Sequence, residues 1–210
     1  MVGRTILVVA IVAVLWLGRL LVRVPEHLMD AIIAGHVLVL VTCLVFVARA
    51  GWSAPEPFGA WERRWLWIGP GVGVVAFVVS GVGYVVSQRL LHLDPPPEMG
   101  LLRDVTGARL ALLMGSVMIA AVLEEWVFRG IVLGAIRGWG APAAVLASAV
   151  VFAAYHLSAF QFLPTFLLGV VLASTVVWLG ALWPAVLAHV AFNALGLLLS
   201  TLAGATGAGR

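Results

Sequence analysis

ARLALLMGSVMIAAVLEEWVFRGIVLGAI, residues 108–136, decides the fold. The run exceeds the ~20 residues that carry a helix across a bilayer, and two carboxylates and a guanidinium interrupt it well inside the apolar stretch. The rest of the chain has the same character. Of 210 residues, 63% are apolar and 10% charged, against roughly a quarter charged in soluble domains. Nine Trp and nine Phe leave too few polar side chains to coat a water-facing surface, so the outside must meet lipid. The expected fold is all-α, a polytopic transmembrane helix bundle in a membrane of bacterial type. The formal charge of +3 does not point to nucleic acid, because the basic residues are all Arg and lie scattered among apolar runs, never as a stripe. Cys43 stands alone inside an apolar run, which excludes an intramolecular disulfide and any CxxC site and leaves packing as its use.

Working outward, further runs of spanning length fall at about 28–48, 65–87, 142–157, 163–180 and 182–202. Residues 5–22 read as a retained first span, since no small-x-small cleavage site follows and Arg19 and Arg23 intervene. The total is about seven spans. Pro142, Pro164 and Pro184 are expected to mark three helix starts, where a missing N–H costs nothing. The polar stretch 89–106, with Arg89, His92, Asp94, Glu98, Arg103 and Asp104, divides N-terminal spans (1–88) from a C-terminal core (107–203) and a short tail (204–210). Arg63 and Arg64 beside Trp52, Trp61, Trp65 and Trp67 describe an interfacial belt. Gly69, Gly71, Gly73, Gly81 and Gly83 lack the preceding strand and the Lys of a phosphate loop, and read as helix-packing positions.

A charged side chain near a helix centre costs at least ~2.5–3.5 kcal/mol in hydrocarbon, so one that stays needs a partner or a task. Three clusters stand out. In Glu124-Glu125-Trp126-Val127-Phe128-Arg129, Glu125 and Arg129 are one turn apart in the favourable order for an ion pair. Glu124 points about 100° away from that pair, and a carboxylate so placed can trade a proton near neutral pH. Phe152-Ala153-Ala154-Tyr155-His156 ends one span with an imidazole a turn beyond a Phe, and His189-Val190-Ala191-Phe192-Asn193 puts an imidazole and an amide on one face of the last span. A lone intramembrane His, such as His36, reads as packing; this combination does not. At 1.5 Å per residue, Glu124 and His156 both lie ~20 Å from the 137–142 turn, Asn193 ~14 Å and His189 ~8 Å from Pro184, so helix tilt must bring the last pair deeper.

These three motifs, Glu-Glu-x-x-x-Arg, Phe-x-x-x-His and His-x-x-x-Asn in order on successive spans, resemble those of the CPBP family, the CAAX proteases and bacteriocin-processing (Abi) proteins, over roughly residues 104–200. The resemblance implies an intramembrane glutamic endopeptidase acting on a membrane-associated peptide or protein, with its active site between C-terminal helices. Carried over by position, Glu124 is the general base, His156 orients or activates water, His189 with Asn193 stabilises the oxyanion, and Glu125 and Arg129 support them. Glutamate as base and donors aimed at the carbonyl oxygen are what peptide hydrolysis needs. No Ser-His-Asp set competes, because Ser158 and Ser174 have no carboxylate-oriented His nearby, and no His-Glu-x-x-His helix is present. Glu124, His156 and His189 would suffice as zinc ligands, so the residues alone leave zinc open; the resemblance implies no cofactor. Two other classes keep the same residues. A proton or ion pathway would distribute carboxylates over several depths, whereas here the intramembrane acids are adjacent; a non-catalytic immunity or scaffold protein would retain the motifs unchanged.

Overall fold

The computed structural model describes residues 59–96 and 107–205. The expected spans 5–22 and 28–48, with His36 and Cys43, lie outside the described residues, as do Trp52, residues 97–106 and the end of the tail. Among the described residues every regular element is helical. Helix α1 (Trp65–Val85) ends in a π-helical turn, Val86–Leu90. Helix α2 (Gly107–Glu125) runs through a π-helical stretch, Trp126–Val132, into a short α3 (Leu133–Ile136). Then come α4 (Ala141–Tyr155), α5 (Ala159–Leu179) and α6 (Trp183–Ala205). Four continuous helical segments, Trp65–Leu90, Leu110–Trp139, Ala159–Leu179 and Trp183–Ala203, are long and apolar enough to cross a membrane.

Each of the five expected runs from 65 onward holds a helix, with three departures. Helix α4 has only 15 residues, because the chain turns at once after His156: Leu157 takes a positive φ of 52° and Ser158 starts the next helix. Pro164 therefore does not begin α5 but lies inside it. The true start is Ser158, whose hydroxyl accepts the Gln161 backbone N–H at 3.2 Å and so satisfies one of the first-turn donors. Pro142 and Pro184 do lie at their helix starts. Trp65, finally, does not present its ring at the surface: it is buried, with its indole N–H donated to the Ala60 carbonyl, while Trp61 and Trp67 are exposed.

Helix α1 lies along α6 and α5, α4 packs on α5, and α2 packs on α6. Between helices in lipid, where tails are as apolar as leucine, association rests on close packing rather than on apolar burial. Gly69, Gly73, Ala76, Ser80, Gly83 and Ser87 recur every three or four residues and are all buried, whereas Val74, Val75, Val78, Val82 and Val85 on the other side of α1 are exposed. A Cβ on Gly73 would sit 2.5 Å from the Ala188 carbonyl oxygen, one on Gly83 2.8 Å from Pro164 Cα, and one on Gly69 would collide with Leu187. Gly71 and Gly81 meet nothing within 4 Å. The expected packing role therefore belongs to three of the five glycines. On the other side of the bundle, Phe128, Phe152, Tyr155, Leu133 and Leu172 form the core that joins α2–α3 to α4 and α5.

Candidate active site

Glu124 and Glu125 are the last residues of α2 before the backbone widens into the π-helical stretch, a distortion that is rare and frequent at functional sites. Ser148 of α4 anchors that stretch, donating its hydroxyl to the Phe128 carbonyl at 3.0 Å. Within it Arg129 reaches back one turn, and its Nη1 donates to Glu125 Oε1 at 2.8 Å, with both side chains wholly buried. The guanidinium also donates through Nη2 to the Gly169 carbonyl at 3.4 Å and lies over the Phe152 ring at 4.1 Å. The expected Glu125–Arg129 pair is thus present, and α5 and α4 close over it.

Glu125 does more than balance that charge. His189, brought in by α6, places Nδ1 2.9 Å from the same Glu125 Oε1. An ionised carboxylate only accepts, so Nδ1 carries the proton and Nε2 is turned the other way. That nitrogen lies 3.9 Å from Glu124 Oε2. The adjacent carboxylates therefore divide the imidazole between them, Glu125 holding one nitrogen and Glu124 facing the other. The depth gap that straight helices left for His189 is closed in the folded chain.

His156 is held differently. Its Nδ1 lies 2.9 Å from the Phe152 carbonyl one turn back, again an acceptor that fixes the proton on Nδ1. Phe152 is the hinge of the arrangement: its ring meets His156 edge-on at 5.0 Å and His189 at 5.8 Å, besides carrying Arg129. Asn193 donates through Nδ2 to the Val117 carbonyl of α2 at 3.4 Å. His156, His189 and Asn193 all line one cavity of about 160 Å³, with Glu124, which is 7% exposed, beside His189. All three motifs meet. Among the described residues, no three His, Cys, Asp or Glu side chains form a group placed to hold a metal ion.

Residues 106–195 match the model of a family described as type II CAAX prenyl endopeptidase, Rce1-like. Over these residues the chain is similar to the CAAX protease family. No curated protein and no solved structure matches the chain. The matched segment begins just before α2 and ends two residues past Asn193, so it takes in every motif residue and leaves out α1. With four helices of membrane-crossing length and composition among the described residues, the protein is an integral membrane protein.

Three further polar residues that no motif singled out line this cavity: Tyr84 of α1 and Gln161 and Thr165 of α5. A signal for two of them exists. Gln161 and Thr165 are four apart and share a helix face, but only if the helix starts before Pro164. Nothing in the sequence points to Tyr84, which comes to the cavity through the α1–α5 contact, its ring 5.5 Å from that of Phe160.

Proposed function

We propose that this protein is an intramembrane endopeptidase that hydrolyses a peptide bond of a membrane-associated protein or peptide with water activated by Glu124. The observation that carries this reading is the convergence, beside one small cavity, of Glu124, two imidazoles each anchored through Nδ1, and the Asn193 carboxamide.

In the proposed reaction Glu124 takes a proton from water as the oxygen adds to the scissile carbonyl carbon. His156 presents Nε2, the nitrogen not engaged by Phe152, as an acceptor that orients the same water. The carbonyl oxygen becomes negative and needs donors where water is excluded. Asn193 has a second amide N–H besides the one given to Val117. His189 supplies another from Nε2 when its ring carries both protons, with Glu125 lying against it to balance the charge. Collapse of the tetrahedral species breaks the C–N bond, and the proton held by Glu124 passes to the leaving amine. Arg129 takes no part in these transfers; it fixes Glu125, and through it the His189 ring.

The deciding experiment incubates the detergent-purified chain and its Glu124→Gln variant with a prenylated peptide ending in a CAAX sequence and reads cleavage by mass. A product formed by the parent chain and lost in the variant supports the reading. Cleavage that persists undiminished in the variant, or a fully folded parent chain with no cleavage, overturns it.

A further inference from the structure

The cavity holds more hydrogen-bonding capacity than the proposed hydrolysis uses. Gln161, Pro164, Thr165 and Leu168 fall at helix spacings i, i+3, i+4 and i+7 and form one wall of it. Among the described residues, the side chains of Gln161 and Thr165 make no hydrogen bond, since the bond at Gln161 uses its backbone N–H. This sets Thr165 apart. Hydroxyls in helices ordinarily return to a carbonyl three or four residues back, as those of Ser116, Thr175, Ser200 and Thr201 do here. Ser80 and Ser87 also lack a bond, but they sit on the closely packed α1 stripe and line no part of this cavity. Thr165, 8% exposed overall, spends its small exposure on the cavity.

The geometry of the pair fits one kind of ligand. Residues four apart on a helix are separated by ~6 Å along its axis. Alternate residues of an extended chain, whose amides point the same way, are separated by ~6.7 Å. A carboxamide that both donates and accepts, followed at nearly that interval by a hydroxyl that can do either, matches alternate main-chain amides of an extended peptide. The described lining carries no Arg or Lys, so the group it suits is a neutral amide rather than a carboxylate. We infer that Gln161 and Thr165 are substrate-positioning residues, which hold the main chain of an extended peptide beside the scissile bond. Because they read the main chain, they hold the peptide extended and aligned along α5 and tolerate variation in its side chains. This inference rests on the endopeptidase reading and adds the part of the site that aligns the substrate.

The test uses the full chain in detergent and the same prenylated CAAX peptide. Binding is measured in a Glu124→Gln background, where no turnover intervenes, for Gln161→Ala, Thr165→Val and a control, Thr175→Val, whose hydroxyl is already bonded to its own helix. The first two are expected to raise Kd about fivefold to tenfold each, the worth of one hydrogen bond, and the control to leave it unchanged. In the active chain the same changes raise KM while kcat holds, the mark of uniform binding. A peptide N-methylated at the amides flanking the scissile bond provides a version of the test with no change to the protein, and it should bind as weakly as the variants make the parent peptide bind. Glu124-dependent cleavage with Kd untouched by both substitutions and by N-methylation overturns this inference alone. So does a fall in kcat at constant KM, which assigns the pair to water instead. Absence of Glu124-dependent cleavage counts against the hydrolysis itself.

Discussion

Helix α6 has two polar-opposite neighbours at nearly the same level. Through Ala188 it meets Gly73 of α1, where a single added carbon would strike the backbone; through the next residue, His189, it meets Glu125 of α2 in a buried ionic cluster. Successive helical residues point about 100° apart, so one turn of α6 serves both contacts. An added atom clashes at the first interface, and a removed partner at the second leaves a buried charge uncompensated. Small residues set how close α6 can come, while the 2.9 Å contact of His189 with Glu125 ties its register and depth to α2.

The comparison breaks most sharply at Glu124. Glu124→Gln keeps the shape and removes the proposed base, so turnover should fall by about 10²–10⁴-fold or to nothing while thermal melting in detergent stays near that of the parent. A large loss of stability there would make Glu124 part of the scaffold. Next comes Arg129→Ala, which strips the cation from Glu125 and should cost about 3–5 kcal/mol of stability, toward the lower end because His189 remains beside the carboxylate; the readout is folded yield and melting. Asn193→Ala separates chemistry from packing within α6 itself. It should lower kcat by about 10²–10³ with KM little changed, and a rise in KM alone would recast Asn193 as a binding residue. On the α1 side, Gly73→Ala should destabilise by about 1–3 kcal/mol, whereas Gly71→Ala, into open space, should stay within about 0.5 kcal/mol. The smallest expected effect is that of chelation: EDTA or phenanthroline should leave cleavage unchanged, and zinc whose removal abolishes activity and whose return restores it would recast Glu124 and the histidines as ligands.

Much of this arrangement was legible in the chain because local spacing encodes it. The Glu125–Arg129 pair is one helical turn, and the order of hydrophobic runs placed five helices to within a few residues. What was hidden depends on contacts across long separations or on backbone irregularity. Glu125 serves His189 across 64 residues, so its double duty cannot be read from its own helix. The π-helical stretch after Glu125 has no mark in the sequence. Pro164 misled in a specific way. Taking it as a helix start put Gln161 outside α5, and with that the shared face of Gln161 and Thr165 disappeared. Ser158, weighed only as a nucleophile, was the capping residue that would have restored it.

The shortness of α4 reaches beyond the protein. Fifteen residues cover ~22 Å, against a hydrocarbon thickness of ~30 Å. Where lipid touches this helix, the bilayer has to thin or the turn at 156–158 has to lie submerged, and either adjustment costs only fractions of a kcal/mol per ångström. Where the bilayer thins at this end, the headgroup region, with its water, dips toward His156. The proposed hydrolysis needs water inside the membrane, and a helix cut short at the end that carries His156 shortens the path water has to take.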